Sequence, residues 1–290
     1  MEHVVAVDIG GTKMEAGIVT ADGRLVERAR VATDPTADAD GLWAPLAEIV
    51  GGLTGRTDAL AVGVGSGGPM APGGETVSPL NIPGWREFPL RARLAELTGL
   101  ATYVDNDAKA LALAEGWIGA ARGEANFIAM VVSTGVGGGI VLDGRLLDGA
   151  RGNAGHIGHV VVEPDGFTLP DHAQGVLEGE ASGTAIRAKT GRPAAEADAA
   201  TIEATGTLVG RGVASVCNLL DLRLAVVAGS VALGFGAPFF AAAQAEIDRR
   251  CLLDFSRGAR IIPAGLGDEG PLVGAAAVAW RALGRDIGIT

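Results

Sequence analysis

The chain has 290 residues, 46 of them glycine, with 48% apolar and 4% aromatic side chains and a formal net charge of −11. That length suits one large domain or two smaller ones, and the acidic balance argues against nucleic acid and anionic membranes as partners. Two cysteines, Cys217 and Cys251, exclude a disulfide framework and all but exclude a thiolate zinc site, which fits a reducing cytoplasm.

Glu2 and His3 lead straight into the apolar strand Val4-Val5-Ala6-Val7-Asp8, so no secretory leader is expected at this end. Ile9-Gly10-Gly11-Thr12-Lys13 reads as a turn and Ala16–Val19 as a return strand. Asp22-Gly23 signals a hairpin before Arg24-Leu25-Val26. Apolar spacing predicts helices over Asp40–Val50, Leu90–Leu97 and Asp107–Ala121. The last follows a strand at Ala101–Val104, which places Asp105-Asn106-Asp107 where strand hands over to helix.

The opening pattern then returns. Phe127–Val132 is a strand, Ser133-Thr134-Gly135-Val136-Gly137 a turn, Gly139–Leu142 a return strand, and Asp143-Gly144-Arg145-Leu146 a second hairpin. Gly-Ile-Val followed by Asp-Gly-Arg-Leu occurs in both places, which suggests duplicated lobes; two ordinary hairpins are the alternative, since Asp-Gly turns are common. Further helices are predicted over Ser182–Lys189, Thr201–Leu220, Pro238–Cys251 and Gly270–Leu283. Leu224–Ala245 carries no charge and is long enough to span a bilayer. Gly229, Ser230, Gly234, Gly236 and Pro238 make it read instead as strand, turn and helix start. Strands and helices alternate throughout with no linker between domains, so the class is α/β.

Three glycine turns bear on chemistry. No G-x-x-x-x-G-K-[ST] run exists, so a P-loop is absent. Gly63-Val64-Gly65-Ser66-Gly67-Gly68 spells a dinucleotide fingerprint, but Pro69, Pro72 and Gly73-Gly74 leave no helix to receive a pyrophosphate. Asp8-Ile9-Gly10-Gly11-Thr12-Lys13 is more informative. An acid at a strand end can hold hydrated Mg²⁺, glycines admit phosphate oxygens to backbone N–H groups, and Thr12 and Lys13 add a hydroxyl and a charge. A plain turn with a solvated Lys13 is the bland alternative. Ser133–Gly139 offers a second phosphate grip. Asp105-Asn106-Asp107 reads either as a helix cap or as a catalytic carboxylate with its neighbours.

With Asp8–Lys13, Ser133–Gly139, Asn106-Asp107 and Gly152-Asn153-Ala154-Gly155-His156-Ile157-Gly158-His159 together, the sequence resembles the ROK family (repressors, open reading frames and kinases), in particular its glucokinase-like members, from Val4 to the closing Gly274–Leu283 helix. The resemblance implies two actin-like ATPase (ribonuclease H-like) lobes around a central cleft. The smaller lobe would comprise 1–115 joined by 271–290, and the larger 116–270. It implies ATP with Mg²⁺ as cofactors and transfer of the γ-phosphoryl to a hexose, glucose O6 being the first expectation. An amino sugar such as N-acetylmannosamine, a cyclitol, or a catalytically idle sugar-binding role are the alternatives. Asp107 would be the base and Asn106 a sugar hydrogen bonder. Gly67 and Gly68 would approach the sugar by backbone, with His156, His159 and Glu178 as further sugar contacts. Asp8, Gly10, Gly11, Thr12 and Lys13 would serve ATP, with Asp8 reaching Mg²⁺ through water. Thr134, Gly135, Gly137 and Gly229 would complete the nucleotide site. A homodimer is also implied.

Three positions depart from the family pattern. Where relatives carry C-x-C-G-x-x-G-C, whose cysteines hold a structural zinc with the histidine at 159, this chain has Leu169, Asp171 and Val176, so no zinc is expected. His156 stands where a glutamate usually meets the sugar, and a neutral imidazole both donates and accepts where a carboxylate only accepts. Gly67 replaces a frequent proline. Repressors of the family carry a winged helix-turn-helix ahead of the first strand. A chain that opens on that strand and is this acidic is not expected to bind DNA.

Overall fold

The computed structural model describes residues 1–170 and 172–290. Its strands are β1 (His3–Ile9), β2 (Lys13–Thr20), β3 (Leu25–Ala32), β4 (Val62–Ser66), β5 (Thr102–Asn106), β6 (Phe127–Val132), β7 (Val136–Leu142), β8 (Arg145–Leu146), β9 (Leu224–Ala228) and β10 (Arg260–Pro263). Its helices are α1 (Ala39–Thr54), α2 (Leu90–Thr98), α3 (Asp107–Trp117), α4 (Leu177–Ala181), α5 (Gly183–Thr190), α6 (Ala199–Leu220), α7 (Ser230–Phe235), α8 (Ala237–Arg250) and α9 (Gly270–Ala282). The chain divides into two compact units. One comprises Met1–Gly123, Arg145–Ala154 and Leu266–Thr290; the other comprises Glu124–Gly144 and Gly155–Gly265. The sequence suggested a division into 1–115 with 271–290 and 116–270.

The two sheets share one topology. The first runs β3-β2-β1-β4-β5 and the second, read from the other edge, β8-β7-β6-β9-β10. In each, an antiparallel pair opens the sheet (β1 with β2, β6 with β7) and the first strand then pairs in parallel with a later one (β4, β9). The repeated Gly-Ile-Val and Asp-Gly-Arg-Leu runs are therefore the surface trace of a duplicated strand plan.

In the first unit, alternation along the strands separates two faces. Val5, Val7, Ile9, Met14, Ala16, Ile18, Val62 and Val64 share a core with Leu42, Leu46 and Val50 of α1, Leu90 and Leu94 of α2, and Trp85. Trp85 stacks on Phe88 at 4.2 Å. The other face takes α9, which starts with Pro271 in its first turn and buries Leu272, Val273, Val278 and Trp280. Gly63 permits that approach: a Cβ there would lie 2.0 Å from the Ala275 carbonyl oxygen.

Two expectations change in detail, and one is met. The helix begun at Asp107 ends at Trp117 rather than Ala121. The Glu115 carboxylate takes the Ala120 N–H at 2.7 Å, and the Glu115 carbonyl takes the Ala121 N–H, so the backbone turns off its helical path. The predicted Pro238–Cys251 helix is preceded by a separate six-residue turn, α7, and Gly236 at φ 61° breaks the two apart. The uncharged Leu224–Ala245 stretch is thus β9, α7 and part of α8, and among the described residues no helix is long and apolar enough to cross a membrane.

Candidate active site

In the first unit, three parallel strands end together. Asp8 of β1 pairs in register with Gly65 of β4, and Gly65 with Asp105 of β5. Ligands of open α/β sheets gather at such carboxyl ends. Asn106 caps α3 by accepting the Ala108 and Lys109 N–H groups at 3.0 and 3.4 Å. Asn106 is thus the N-cap, and Asp107, the first helical residue, also accepts the Ala108 N–H at 2.8 Å. The capping reading of the triplet is therefore met at the start of α3. A Cβ on Gly65 would lie 3.8 Å from Asp8 Oδ1 and 3.7 Å from Asp107 Cα, so the two acids flank the same glycine.

That crowding has an electrostatic consequence. The Asp8 carboxyl is pushed up to about 7, first by burial, then by the charges of Asp107 and Glu15, against the pull of Lys13 and Arg28. A carboxyl so reluctant to ionise alone gains from a hard cation. An oxygen donor set of this kind fits hydrated Mg²⁺. The Gly10-Gly11 turn beside it is tight: Gly10 N–H donates to Lys13 O at 3.0 Å, and a Cβ on Gly11 would meet Asn81 Cβ at 2.7 Å. Gly67 and Gly68 follow β4 in a loop that runs into a 3₁₀ turn at Pro72–Gly74, and the next α-helix is α2. The dinucleotide fingerprint therefore lacks its helix.

Two buried charges near this edge escaped the sequence reading. Glu15 on β2 is fully buried and receives Lys13 Nζ at 2.5 Å, Arg28 Nε at 2.8 Å and Arg30 Nε at 2.7 Å. Despite its burial, the three cations hold its carboxyl down at about 2. The signal was Arg28 and Arg30 alternating on β3, but only the register that sets Arg30 opposite Glu15 shows what they serve. Lys109, also buried, bridges Asp105 at 2.8 Å and Asp148 at 2.7 Å and reaches Gly152 O at 3.3 Å. It ties the segment leading to Asn153 onto the start of α3.

The second unit assembles the other predicted residues. Ser133 Oγ and Ser230 Oγ lie 2.9 Å apart, joining the turn after β6 to the turn after β9. Thr184 Oγ1 donates to Thr134 O at 2.8 Å, and Gly183 N–H to Ser133 O at 2.7 Å. Gly229 adopts φ 101°, and a Cβ there would lie 2.3 Å from Val132 O, so only glycine fits. Glu178 on α4 accepts the Val136 N–H through Oε2 at 2.6 Å, while its Oε1 lies 2.7 Å from His172 Nε2. His172 stacks on His159 at 5.5 Å, and His156 lies 6.1 Å from His159. Burial holds the His159 imidazole below its ordinary value; Glu178 pulls it up, and His172 and His156 push it down.

The first unit thus holds Asp8, Gly10, Gly11, Thr12, Lys13, Gly67, Gly68, Asn106 and Asp107. The second holds Thr134, Gly135, Gly137, His156, His159, Glu178 and Gly229. Glu15 joins the first set without having been singled out, Ser133 and Ser230 come from turns already marked in the sequence, and His172 joins the second set through Glu178.

The zinc loop of the family does not fit here. Leu169 and Val176 are buried apolar side chains, and Val161 and Val176 pair as an antiparallel bridge that closes the loop. Asp171 lies outside the described residues. Cys217 and Cys251 are buried on α6 and just after α8. Among the described residues no group of three or more His, Cys, Asp or Glu is placed to hold a metal ion.

A ROK family model matches residues 4–282. Over 186 residues the chain is 38% identical to a glucokinase of Thermotoga maritima, a match that spans 63% of this chain and 58% of that one. Over 250 residues it is 35% identical to an N-acetylmannosamine kinase of Yersinia pseudotuberculosis, spanning 80% and 84%. The structure resembles a ROK family glucokinase from Streptomyces griseus in complex with glucose and AMPPNP, with TM-score 0.82 and 30% identity over 94% of this chain and 98% of that one. From the repeated sheet topology, the paired glycine turns and a family match running nearly end to end, the chain belongs to the ROK family.

Proposed function

We propose that the protein is an ATP-dependent sugar kinase whose acceptor is an N-acetylated hexosamine of the N-acetylmannosamine type. The phosphotransferase class follows from the family and from two acids flanking one glycine at the carboxyl ends of parallel strands. The sugar class rests on one observation. The likeness to the N-acetylmannosamine kinase extends over 84% of that relative, whereas the likeness to the Thermotoga glucokinase covers 58%. This shifts the reading from glucose O6, the first expectation, to its amino-sugar alternative. His156 is compatible with the shift, because an imidazole N–H can donate to an acetamido carbonyl and a carboxylate cannot.

In this reading Asp107 accepts the proton of the attacking hydroxyl. Phosphoryl transfer asks the protein chiefly for positioning and charge neutralisation, and an oriented base adds about 10²–10⁴-fold. Asn106 has committed its carbonyl oxygen to the helix cap, so its amide nitrogen is the group offered to a sugar hydroxyl. Gly67 and Gly68 approach the sugar by backbone, and His156, His159 and Glu178 contact its hydroxyls. Gly10, Gly11, Thr12, Lys13, Thr134, Gly135, Gly137 and Gly229 are the residues proposed to serve ATP. Asp8 would hold Mg²⁺ through water, and the ion would supply charge neutralisation for the phosphates.

The test is ADP release across a panel of hexoses, N-acetylhexosamines and cyclitols. The expected result is a kcat/KM for N-acetylmannosamine above that for glucose. A preference for glucose reverses the sugar assignment, and a panel in which no sugar stimulates ADP release removes the kinase reading.

A further inference from the structure

The loop between Val160 and Leu177 is where relatives place cysteines, and here it is held by other means. The Val161–Val176 bridge closes it, Leu169 and Val176 anchor it in the core, and Glu180 accepts the Phe167 N–H. Among the described residues of this loop, His172 reaches the candidate site. His172 Nε2 lies 2.7 Å from Glu178 Oε1, and His172 Nδ1 lies 2.9 Å from the Pro170 carbonyl oxygen. The ring is stacked on His159 with 2° between the planes.

A carbonyl and a carboxylate both only accept, so two hydrogen bonds form only when both ring nitrogens carry a proton. The ring then acts as a two-ended donor, fixed to the loop backbone at one end and to Glu178 at the other. Glu178 in turn spends Oε2 on the Val136 N–H at 2.6 Å, inside the Ser133–Gly139 turn. Both carboxylate oxygens are thereby committed, one to each side. A carboxylate accepting two such bonds has lost its rotational freedom about the terminal torsion.

We propose that His172 is a positioning residue for Glu178: donating from both ring nitrogens, it fixes the carboxylate against the glycine turn and so sets the geometry in which Glu178 meets the sugar. The sugar contact of Glu178 belongs to the kinase reading above, and this proposal rests on it for its effect on catalysis. The link between His172 and Glu178 is independent of that reading. Glu178 of α4 and His159 of the 3₁₀ turn Ile157–His159 face the ring, and His156, the residue before that turn, lies against His159. No metal takes part.

Two measurements test it. The chain has four histidines, so single substitutions assign their ring signals. A long-range ¹H–¹⁵N spectrum of the wild type at pH 7 should show the His172 ring with both nitrogens protonated, and Glu178→Gln should return it to the neutral pattern. In steady-state assays, His172→Phe keeps a flat ring against His159 but has no donor. It should raise the KM for the sugar about 10-fold or more, with a smaller change in kcat and none in the KM for ATP. His172→Gln restores one donor toward Glu178 and should recover most of the loss. A neutral His172 ring in the wild type overturns the proposal, as does a folded His172→Phe variant with the wild-type sugar KM. If His172→Phe does not fold, a folded His172→Gln in which Glu178→Gln still perturbs the remaining ring signals as in the wild type overturns it as well. A wild type that turns over no sugar counts against the kinase reading, and the ring spectrum still decides the link.

Discussion

Replacing Glu15 by glutamine removes the one negative charge that Lys13, Arg28 and Arg30 share, and its cost can be worked out from the carboxyl's own shift. The group falls from an ordinary 4.5 to about 2 in the folded protein. At 1.36 kcal/mol per unit, that difference favours folding by about 3 kcal/mol at neutral pH. The sign follows from the depressed value: the contribution is fully present above 4.5 and is lost as pH falls toward 2. At pH 3.5 about 2 kcal/mol remains. Glu15 is fully buried, but Lys13 and Arg30 are 37% and 51% exposed, so salt screens part of the attraction and the figure is an upper value. Urea unfolding of wild type and Glu15→Gln at both pH values reads the gap directly, with equal m-values confirming that the same surface is exposed. The gap should narrow by about a third on acidification. Freed from Glu15, Lys13 should also lose its fixed position, raising the KM for ATP more than that for sugar. A variant as stable as wild type at pH 7, or a gap that does not narrow, refutes the assignment of Glu15 as an ionised hub.

Asp107→Asn should lower kcat by about 10²-fold or more with sugar and ATP binding nearly intact, because the amide still caps Ala108 N–H through its oxygen but takes no proton; near-normal turnover removes Asp107 from the proposed mechanism. His156→Glu should lower the kcat/KM ratio of N-acetylmannosamine to glucose and leave the KM for ATP alone; an unchanged ratio makes His156 structural. Burial pushes the Cys217 thiol up to about 12, so at pH 8 a thiol reagent should label neither cysteine of the native protein and both after unfolding, whereas rapid native labelling shows that the α6 packing has been misread.

What the sequence made visible was whatever local periodicity and capping chemistry determine. The α/β class and the duplicated hairpins could be read because two-residue alternation and Asp-Gly turns are set by near neighbours. The strand-to-helix junction at Asn106-Asp107 was legible because a capping residue stands before an apolar helical repeat. The features that escaped depend on distant pairing. Glu15 acquires its meaning only from Arg30 across the β2–β3 register, and Lys109 only from Asp148, 39 residues on. α4, with five residues, and β10, with four, are too short to show a period. His172 sits in a loop with no periodicity, so nothing in its neighbours announced its contact with Glu178. The overlong third helix had a different cause: the apolar pattern continues past Trp117, but Glu115 takes over the backbone donors that would have extended it.

The duplicated sheet poses the same backbone twice and puts different chemistry on it. At the ends of β1 and β5 and the start of α3 the first unit carries Asp8, Asp105 and Asp107, and at the ends of β6 and β9 the second carries Ser133 and Ser230. Asp8 in the first copy is pushed up to about 7, by burial first and then by the opposing charges of Asp107 and Glu15. Two like charges 4 Å apart cost about 4 kcal/mol at an effective dielectric of 20. A second acidic set facing a polyphosphate would add that cost at each close contact, with no Lys13 beside it to offset it. Hydroxyls avoid the penalty, since they are uncharged and can donate to an anionic oxygen or accept from a neighbour, as Ser133 and Ser230 do between themselves. The asymmetry is therefore one of side-chain type at equivalent strand ends, acids in the first unit and hydroxyls in the second.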